Sequence, residues 1–285
     1  MNRTGQTAKA EAFRAMHDRS RILVLPNAWD AASALVFENA GFKAIATTSS
    51  GVANSLGYPD GQAIPRGEML FMIGAITRSV KVPVTADIEA GYADDLATLK
   101  ETIAMVIDAG AIGINLEDSM MNRGTPILGL ETAVARVRAA REAAQAAGVP
   151  IVINARTDVY LHGIGERETR FDDAVRRANA YREAGADSLF VPGVRDAGII
   201  GSLVAALTGP MNILAGPGTP SISELEKLGV ARVSVGGGPA RAAMTVTRTV
   251  AKELFERGTY QSFVEGVISH PEANALMTRG RPTPA

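Results

Sequence analysis

Residues 82–118 read VPVTADIEAGYADDLATLKETIAMVIDAGAIGINLED. A β-branched run, VPVTADIE (82–89), gives way to Asp94–Ala109, where Leu, Ile, Val and Ala recur three and four residues apart, as on one face of an α-helix. Gly110 ends that pattern with the left-handed cap that a side chain resists, and a second apolar run, IGINLED (112–118), follows. Strand, helix and strand in this order form a βαβ unit, with both strands parallel because the helix carries the chain back.

The same unit repeats in both directions. Strand candidates fall at RILVLP (21–26), KAIATTS (43–49), PIVINARTD (150–158), SLFVPG (188–193), MNILAG (211–216) and RVSVGG (232–237), which with the first two make eight. Helical patterns lie between them, Leu130–Ala147 and Phe171–Ala184 among them, and Gly41, Gly148, Gly185 and Gly229 mark further helix ends. Eight βα units without a shift of composition predict one α/β domain over residues 1–285, a (β/α)₈ barrel of the TIM type. After an eighth helix (Pro239–Gly258), residues 259–285 remain as a C-terminal helical extension, with a pattern over Tyr260–Met277 that a barrel does not need. Such a surplus helix predicts a homo-oligomer, dimer or tetramer, joined through the C-terminal helices, or else a local lid.

Composition narrows the function. The chain's 285 residues are 46% hydrophobic, and 29 Lys plus Arg nearly balance 30 Asp plus Glu. No basic stripe suggests nucleic acid, and no apolar run suggests a membrane or a secretory leader, so a soluble, cytoplasmic protein is expected. With no cysteine there is neither a disulfide framework nor a thiolate metal site or nucleophile.

In a barrel of this kind chemistry sits where strands end, and these ends are acidic. The run at 82–89 ends Asp87-Ile88-Glu89, where period-two alternation points both carboxylates into the barrel mouth; the run at 112–118 ends Glu117-Asp118; the run at 150–158 offers Asn154, Arg156 and Asp158. Converging carboxylates repel unless a cation intervenes, and an oxygen-only donor set favours Mg²⁺ or Mn²⁺ over zinc. The competing reading makes these acids ion pairs of Arg156. Thr47-Thr48-Ser49-Ser50-Gly51 exposes amides and hydroxyls suited to a carboxylate, and Asp60 adds an acid to the same rim. His17, His162 and His270 share no metal spacing; only His162 falls in a loop on the active face.

The strings NAWDAASALVFENAGFKAIATTSSGVANSLGYPDG (27–61), ADIEAGY (86–92), INLEDS (114–119) and INARTD (153–158), with GPGTPSISELEKLGVARVSVG (216–236), resemble the phosphoenolpyruvate mutase/isocitrate lyase superfamily. The resemblance implies a Mg²⁺-dependent enzyme that cleaves a C–C or P–C bond beside the oxo group of a small oxo-carboxylate through an enolate-like species, a lyase, decarboxylase or hydrolase. It implies Asp87 as principal metal carboxylate, directly or through water, with Glu89 and Glu117 completing the shell. Asp60 would order metal-bound water, Arg156 would neutralise a substrate carboxylate or oxyanion, and Thr48, Ser49 and Ser50 would grip the other carboxylate end.

Two departures bear on the reaction. Relatives that cleave isocitrate or methylisocitrate carry a cysteine on the loop after the fourth strand, whereas here that loop reads Ser119-Met120-Met121-Asn122-Arg123-Gly124-Thr125-Pro126, leaving Asn122 and Arg123 as its catalytic candidates. The place after the sixth strand where relatives carry His or Glu falls at Pro192-Gly193. Three alternatives stay open: a phosphonomutase-like transferase, a barrel that binds oxo-acids without turnover, and a phosphosugar enzyme using Gly216-Pro217-Gly218 and Gly236-Gly237-Gly238, although no lysine ends a strand for a Schiff base.

Overall fold

The computed structural model describes residues 3–120, 124–264 and 266–278. Its strands are β1 (Leu23–Leu25), β2 (Asn27–Ala28), β3 (Ile45–Thr47), β4 (Val84–Asp87), β5 (Gly113–Glu117), β6 (Val152–Arg156), β7 (Ser188–Phe190), β8 (Met211–Leu214) and β9 (Arg232–Ser234). Every pairing is parallel, in the order β1-β9-β8-β7-β6-β5-β4-β3-β2. The run expected as one first strand is two. Pro26 has no N–H and so breaks the ladder between β1, which pairs with β9, and β2, which pairs with β3. Its carbonyl still accepts from the Ala46 amide at 3.0 Å, so the two pieces act as one stave and the eight-unit barrel closes across them.

Around the strands lie α1 (Arg3–Ala15), α2 (Ala31–Asn39), α3 (Ser49–Ser55), α4 (Arg66–Ser79), α5 (Leu96–Asp108), α6 (Leu130–Ala146), α7 (Arg170–Glu183), α8 (Ala197–Ala206), α9 (Ile222–Lys227), α10 (Gly238–Arg257) and α11 (His270–Thr278). Asp30, Asp95 and Asp196 start α2, α5 and α8 by accepting the backbone N–H three residues on, each worth about 1 kcal/mol. Gly41, Gly110, Gly148, Gly185 and Gly229 all have φ between 69° and 110°, the left-handed cap their positions predict. The C-terminal pattern resolves into a short 3₁₀ turn at Gln261–Phe263 and α11, which packs on α2 and buries Leu276. Among the described residues no helix is long and apolar enough to cross a membrane.

The barrel interior is more polar than the branched apolar layers usual in this architecture. Thr85, Asn115, Asn154, Asn212 and Arg232 come from five strands and are 5% exposed or less. Gly113 belongs to this crowding, because a β-carbon there would lie 2.8 Å from Thr85 Oγ1 and 3.0 Å from the Val152 carbonyl. Helix α1 closes the opposite end: the Gln6 amide donates to the Ile107 and Ala111 carbonyls, Arg14 pairs with Asp187, and Phe13 is fully buried.

His17, just beyond α1, belongs to this plug. Its Nδ1 lies 2.9 Å from the Phe13 carbonyl, and burial, reinforced by Arg232, pushes its pKa down to about 4 from an ordinary value near 6.5. A depressed folded-state pKa means that the unfolded chain takes up the proton first. Stability is therefore complete above about pH 6.5 and falls as pH drops towards 4, by about 3 kcal/mol in all. Urea unfolding at pH 7.5 and 4.5 should show that loss, and His17→Asn should remove most of the difference; equal slopes in both proteins would refute it.

Candidate active site

The carboxyl ends of the strands surround a cavity of about 350 Å³. Thr48, Ser49, Ser50, Asp60, Asp87 and Arg156 line it, so these six expected residues converge from four separate stretches of chain. Asp87 ends β4. The hydroxyl and amide of Ser49 donate to its Oδ2 at 2.9 and 3.3 Å, and its own N–H donates to Thr47 Oγ1 at 2.9 Å. Its other oxygen, Oδ1, is buried and has no hydrogen-bond partner among the described residues. Thr48 caps α3 by accepting the Gly51 amide, which sets Ser49 and Ser50 in the helix's first turn against the acid.

Glu89 reaches the site by a different route from strand alternation. β4 stops at Asp87, and Glu89 has φ 52°, beside Tyr92 at 53° and Gln62 at 57°. Three non-glycine residues in the left-handed region are costly, and here they support one another. Glu89 Oε2 accepts the Gln62 amide at 2.7 Å, Gln62 Oε1 accepts the Tyr92 amide at 2.8 Å, and the Tyr92 hydroxyl donates to Glu89 Oε1 at 3.1 Å. This knot ties the Asp60 loop to the end of β4. Burial, with the charges of Asp87 and Asp60, pushes Glu89 up to about 7.

Arg156 stands opposite, between Glu117 at 2.7 Å and Asp158, which it meets through Nε at 2.6 Å and Nη2 at 3.0 Å. The Ser119 hydroxyl donates to Asp158 at 2.7 Å and lies 3.1 Å from Glu117, and the guanidinium lies 5.8 Å from the Phe190 ring centre. Burial works against the Asp158 charge, but Arg156, His162 and Ser119 outweigh it and hold the pKa down at about 2. Burial raises Glu117, which Arg156 opposes. Asp118 turns away to Tyr181, Arg177 and the Asp158 amide, a wholly structural set of contacts.

Metal ligation was expected from Asp87, Glu89 and Glu117 together. The geometry divides them: Asp87 lines the cavity and keeps one buried oxygen, Oδ1, without a hydrogen-bond partner, whereas Glu89 and Glu117 already hold hydrogen bonds or an ion pair, and among the described residues no three acids or histidines converge on one point. A bare buried carboxylate oxygen fits Mg²⁺ or Mn²⁺, which keeps several waters and takes few protein ligands.

Asn122 and Arg123 lie outside the described residues. The base of their loop is closed by paired hydrogen bonds between Met120 and Thr125, at 2.9 and 3.1 Å. Gly216, Pro217, Thr219, Gly236 and Gly237 line the same cavity as Asp87, so the two glycine loops form one site with the acids. Sequence reading missed Arg195 and Arg241, which also line the cavity; each follows a glycine turn by two or three residues, and an arginine there is the signal that could have marked them.

Comparison with known proteins gives the family. The family model described as phosphoenolpyruvate phosphomutase matches residues 13–255. The chain belongs to the phosphoenolpyruvate mutase/isocitrate lyase superfamily. It is 30% identical to 2-methylisocitrate lyase of Escherichia coli strain K12, over 92% of this chain and 90% of that one. A crystal structure from Burkholderia cenocepacia J2315, provisionally described as a lyase/mutase, is 40% identical with TM-score 0.89, covering 98% of this chain and all of that one. Phosphonopyruvate hydrolase, solved with oxalate and Mg²⁺, is 26% identical with TM-score 0.84, over 95% of each chain. Superfamily membership makes this an enzyme-type barrel whose relatives include a lyase and a phosphonopyruvate hydrolase.

Proposed function

We propose that the chain is a Mg²⁺- or Mn²⁺-dependent lyase, decarboxylase or hydrolase that breaks the C–C or P–C bond beside the oxo group of a small oxo-carboxylate. The observation that carries this reading is the bare, buried Oδ1 of Asp87 at the wall of a cavity shared with Arg156 and the Thr48–Ser50 turn. When bound, the ion supplies Lewis-acid polarisation of the oxo group. Ser49 fixes the Asp87 carboxylate in one rotamer, so the ligand oxygen is set before anything binds. Arg156 places a charge, already held rigid by Glu117 and Asp158, where the oxygen of an enolate-like species gains charge. In the first turn of α3, Ser49 is committed to Asp87 and the Gly51 amide to Thr48, which leaves Ser50 at the cavity wall to meet the carboxylate end, and Asp60 stands at the mouth to orient water.

The panel that tests this is oxaloacetate, phosphonopyruvate, 2-oxoglutarate, alkylmalates and 2-methylisocitrate, followed by pyruvate or phosphate release. Turnover of one member that stops with EDTA and returns with Mg²⁺ is the expected result; turnover indifferent to EDTA would defeat the metal reading. The absence of any cysteine leaves the thiol acid/base expected of methylisocitrate cleavage without a counterpart, so oxaloacetate or phosphonopyruvate should be preferred. A homo-oligomer built through the C-terminal helices is also proposed. Its support is α10, twenty residues of which Ala240 alone is buried, with Met244, Val246, Leu254 and Phe255 exposed. Light scattering on the eluting protein should give a dimer or tetramer.

A further inference from the structure

Arg232 is a large side chain with no exposure at all, on the inward face of β9. It crosses the barrel axis: Nη2 donates to Asn115 Oδ1, on β5, at 3.2 Å, an oxygen that also receives Asn154 Nδ2 at 2.8 Å. Its other end lies 3.5 Å from His17 Nε2 and 5.9 Å from the Phe13 ring centre, at the plug made by α1. Its Nε has no partner among the described residues, and no carboxylate there pairs with it. Because His17 Nδ1 faces the Phe13 carbonyl as donor, Nε2 is the bare acceptor, so all the partners of this guanidinium are neutral.

A buried charge without a counter-ion is felt further than one in water. Asn115, which Arg232 holds, lines the cavity and sits beside Asp87 in the β4–β5 ladder. Burial pulls Arg232 down to about 9 and Asp87 raises it, so the group is charged at neutral pH and Asp87 is the acid that feels it. The charge of Arg156, by contrast, is taken up by Glu117 and Asp158. Nothing in the chemistry proposed for the site uses Arg232.

We infer that Arg232 is a positioning residue for the proposed metal centre, an uncancelled cation beneath Asp87 that weakens binding of the free divalent ion and strengthens binding of an anionic substrate to the ion-loaded protein. The inference rests on reading Asp87 as the metal carboxylate. It also gives the polar interior a purpose, since Asn115, itself held by Asn154, accepts the guanidinium where a hydrocarbon layer would have excluded it.

The test titrates Mn²⁺ into the full-length protein, then oxalate into the Mn²⁺-loaded protein, for the unaltered chain, Arg232→Gln and Arg232→Lys. Arg232→Gln should bind Mn²⁺ roughly tenfold more tightly and oxalate roughly tenfold more weakly, while Arg232→Lys, which keeps the charge, should stay within about twofold on both. A residue that merely holds the fold would lower thermal stability equally with and without Mn²⁺ and would not drive the two affinities in opposite directions. Unchanged or weaker Mn²⁺ binding by folded Arg232→Gln overturns the inference. Should that variant not fold, His17→Asp sets a carboxylate against the far side of the guanidinium without touching the cavity; it should tighten Mn²⁺ binding, and no change there overturns the inference equally. Failure of the unaltered protein to bind Mn²⁺ would defeat the metal centre and this inference together, whereas normal binding with unmoved affinities defeats this inference alone.

Discussion

Asp87→Ala should lose Mg²⁺ binding and at least about a thousandfold in kcat/KM, a loss of about 4 kcal/mol of transition-state stabilisation, while the protein stays folded. The expected loss is large because Asp87 lines the cavity and keeps an unpartnered oxygen, whereas Glu89 and Glu117 are committed to the Gln62 amide and to Arg156. The fold should survive because Asp87 has no ion pair among the described residues and its removal takes a repelling charge away from Glu89. Calorimetric Mg²⁺ titration and thermal unfolding, run on the same sample, check both halves. A folded Asp87→Ala protein with unaltered Mg²⁺ affinity would end the site assignment.

Arg156→Met should be the most damaging single change to both stability and carboxylate binding. From sequence, Arg156 is a contact to a substrate carboxylate whose removal weakens oxo-acid binding by a few kcal/mol, with ion pairing to the rim acids as the competing reading. In the folded protein its side chain is largely buried between Glu117 and Asp158, and taking it away strands two acids in a poorly solvated place. Breaking a buried pair from one side costs about 3–5 kcal/mol, or very roughly 6–10 °C in Tm for a chain of this size. The double variant Arg156→Met with Asp158→Asn should regain part of that stability but none of the ligand affinity. Recovery of both together would show that the arginine acts only through the fold.

The strand and helix order was legible along the chain because each unit carries its own local signals. The runs at 112–118 and 150–158, the helices they flank and the five capping glycines stand where the pattern put them. Pro26 is the instructive exception. The apolar run through it is continuous, so periodicity reads one strand, and only the missing N–H opposite β3 divides it. The rim acids were legible as a set, since strand ends converge in any barrel. Their division of labour was not, because it depends on which oxygen each hydrogen-bond donor has already taken.

Glu89 shows the difference in one residue. Alternation from Asp87 assigns it to the mouth, and it is near the mouth, but through a left-handed turn fixed by Gln62 and Tyr92 from two separate loops. His17 and Arg232, 215 positions apart, have no pattern that relates them, and read alone each is an unremarkable polar residue. Local preference and hydrophobic period act over a few residues, so the chain's order of residues was enough for the barrel, its eight units and the face that carries the chemistry. Which carboxylate keeps a free oxygen, which is bound to arginine, and which cation lies uncancelled on the axis are long-range electrostatic facts. They come into being only when closure of the barrel brings β4, β5, β6 and β9 around one low-dielectric interior.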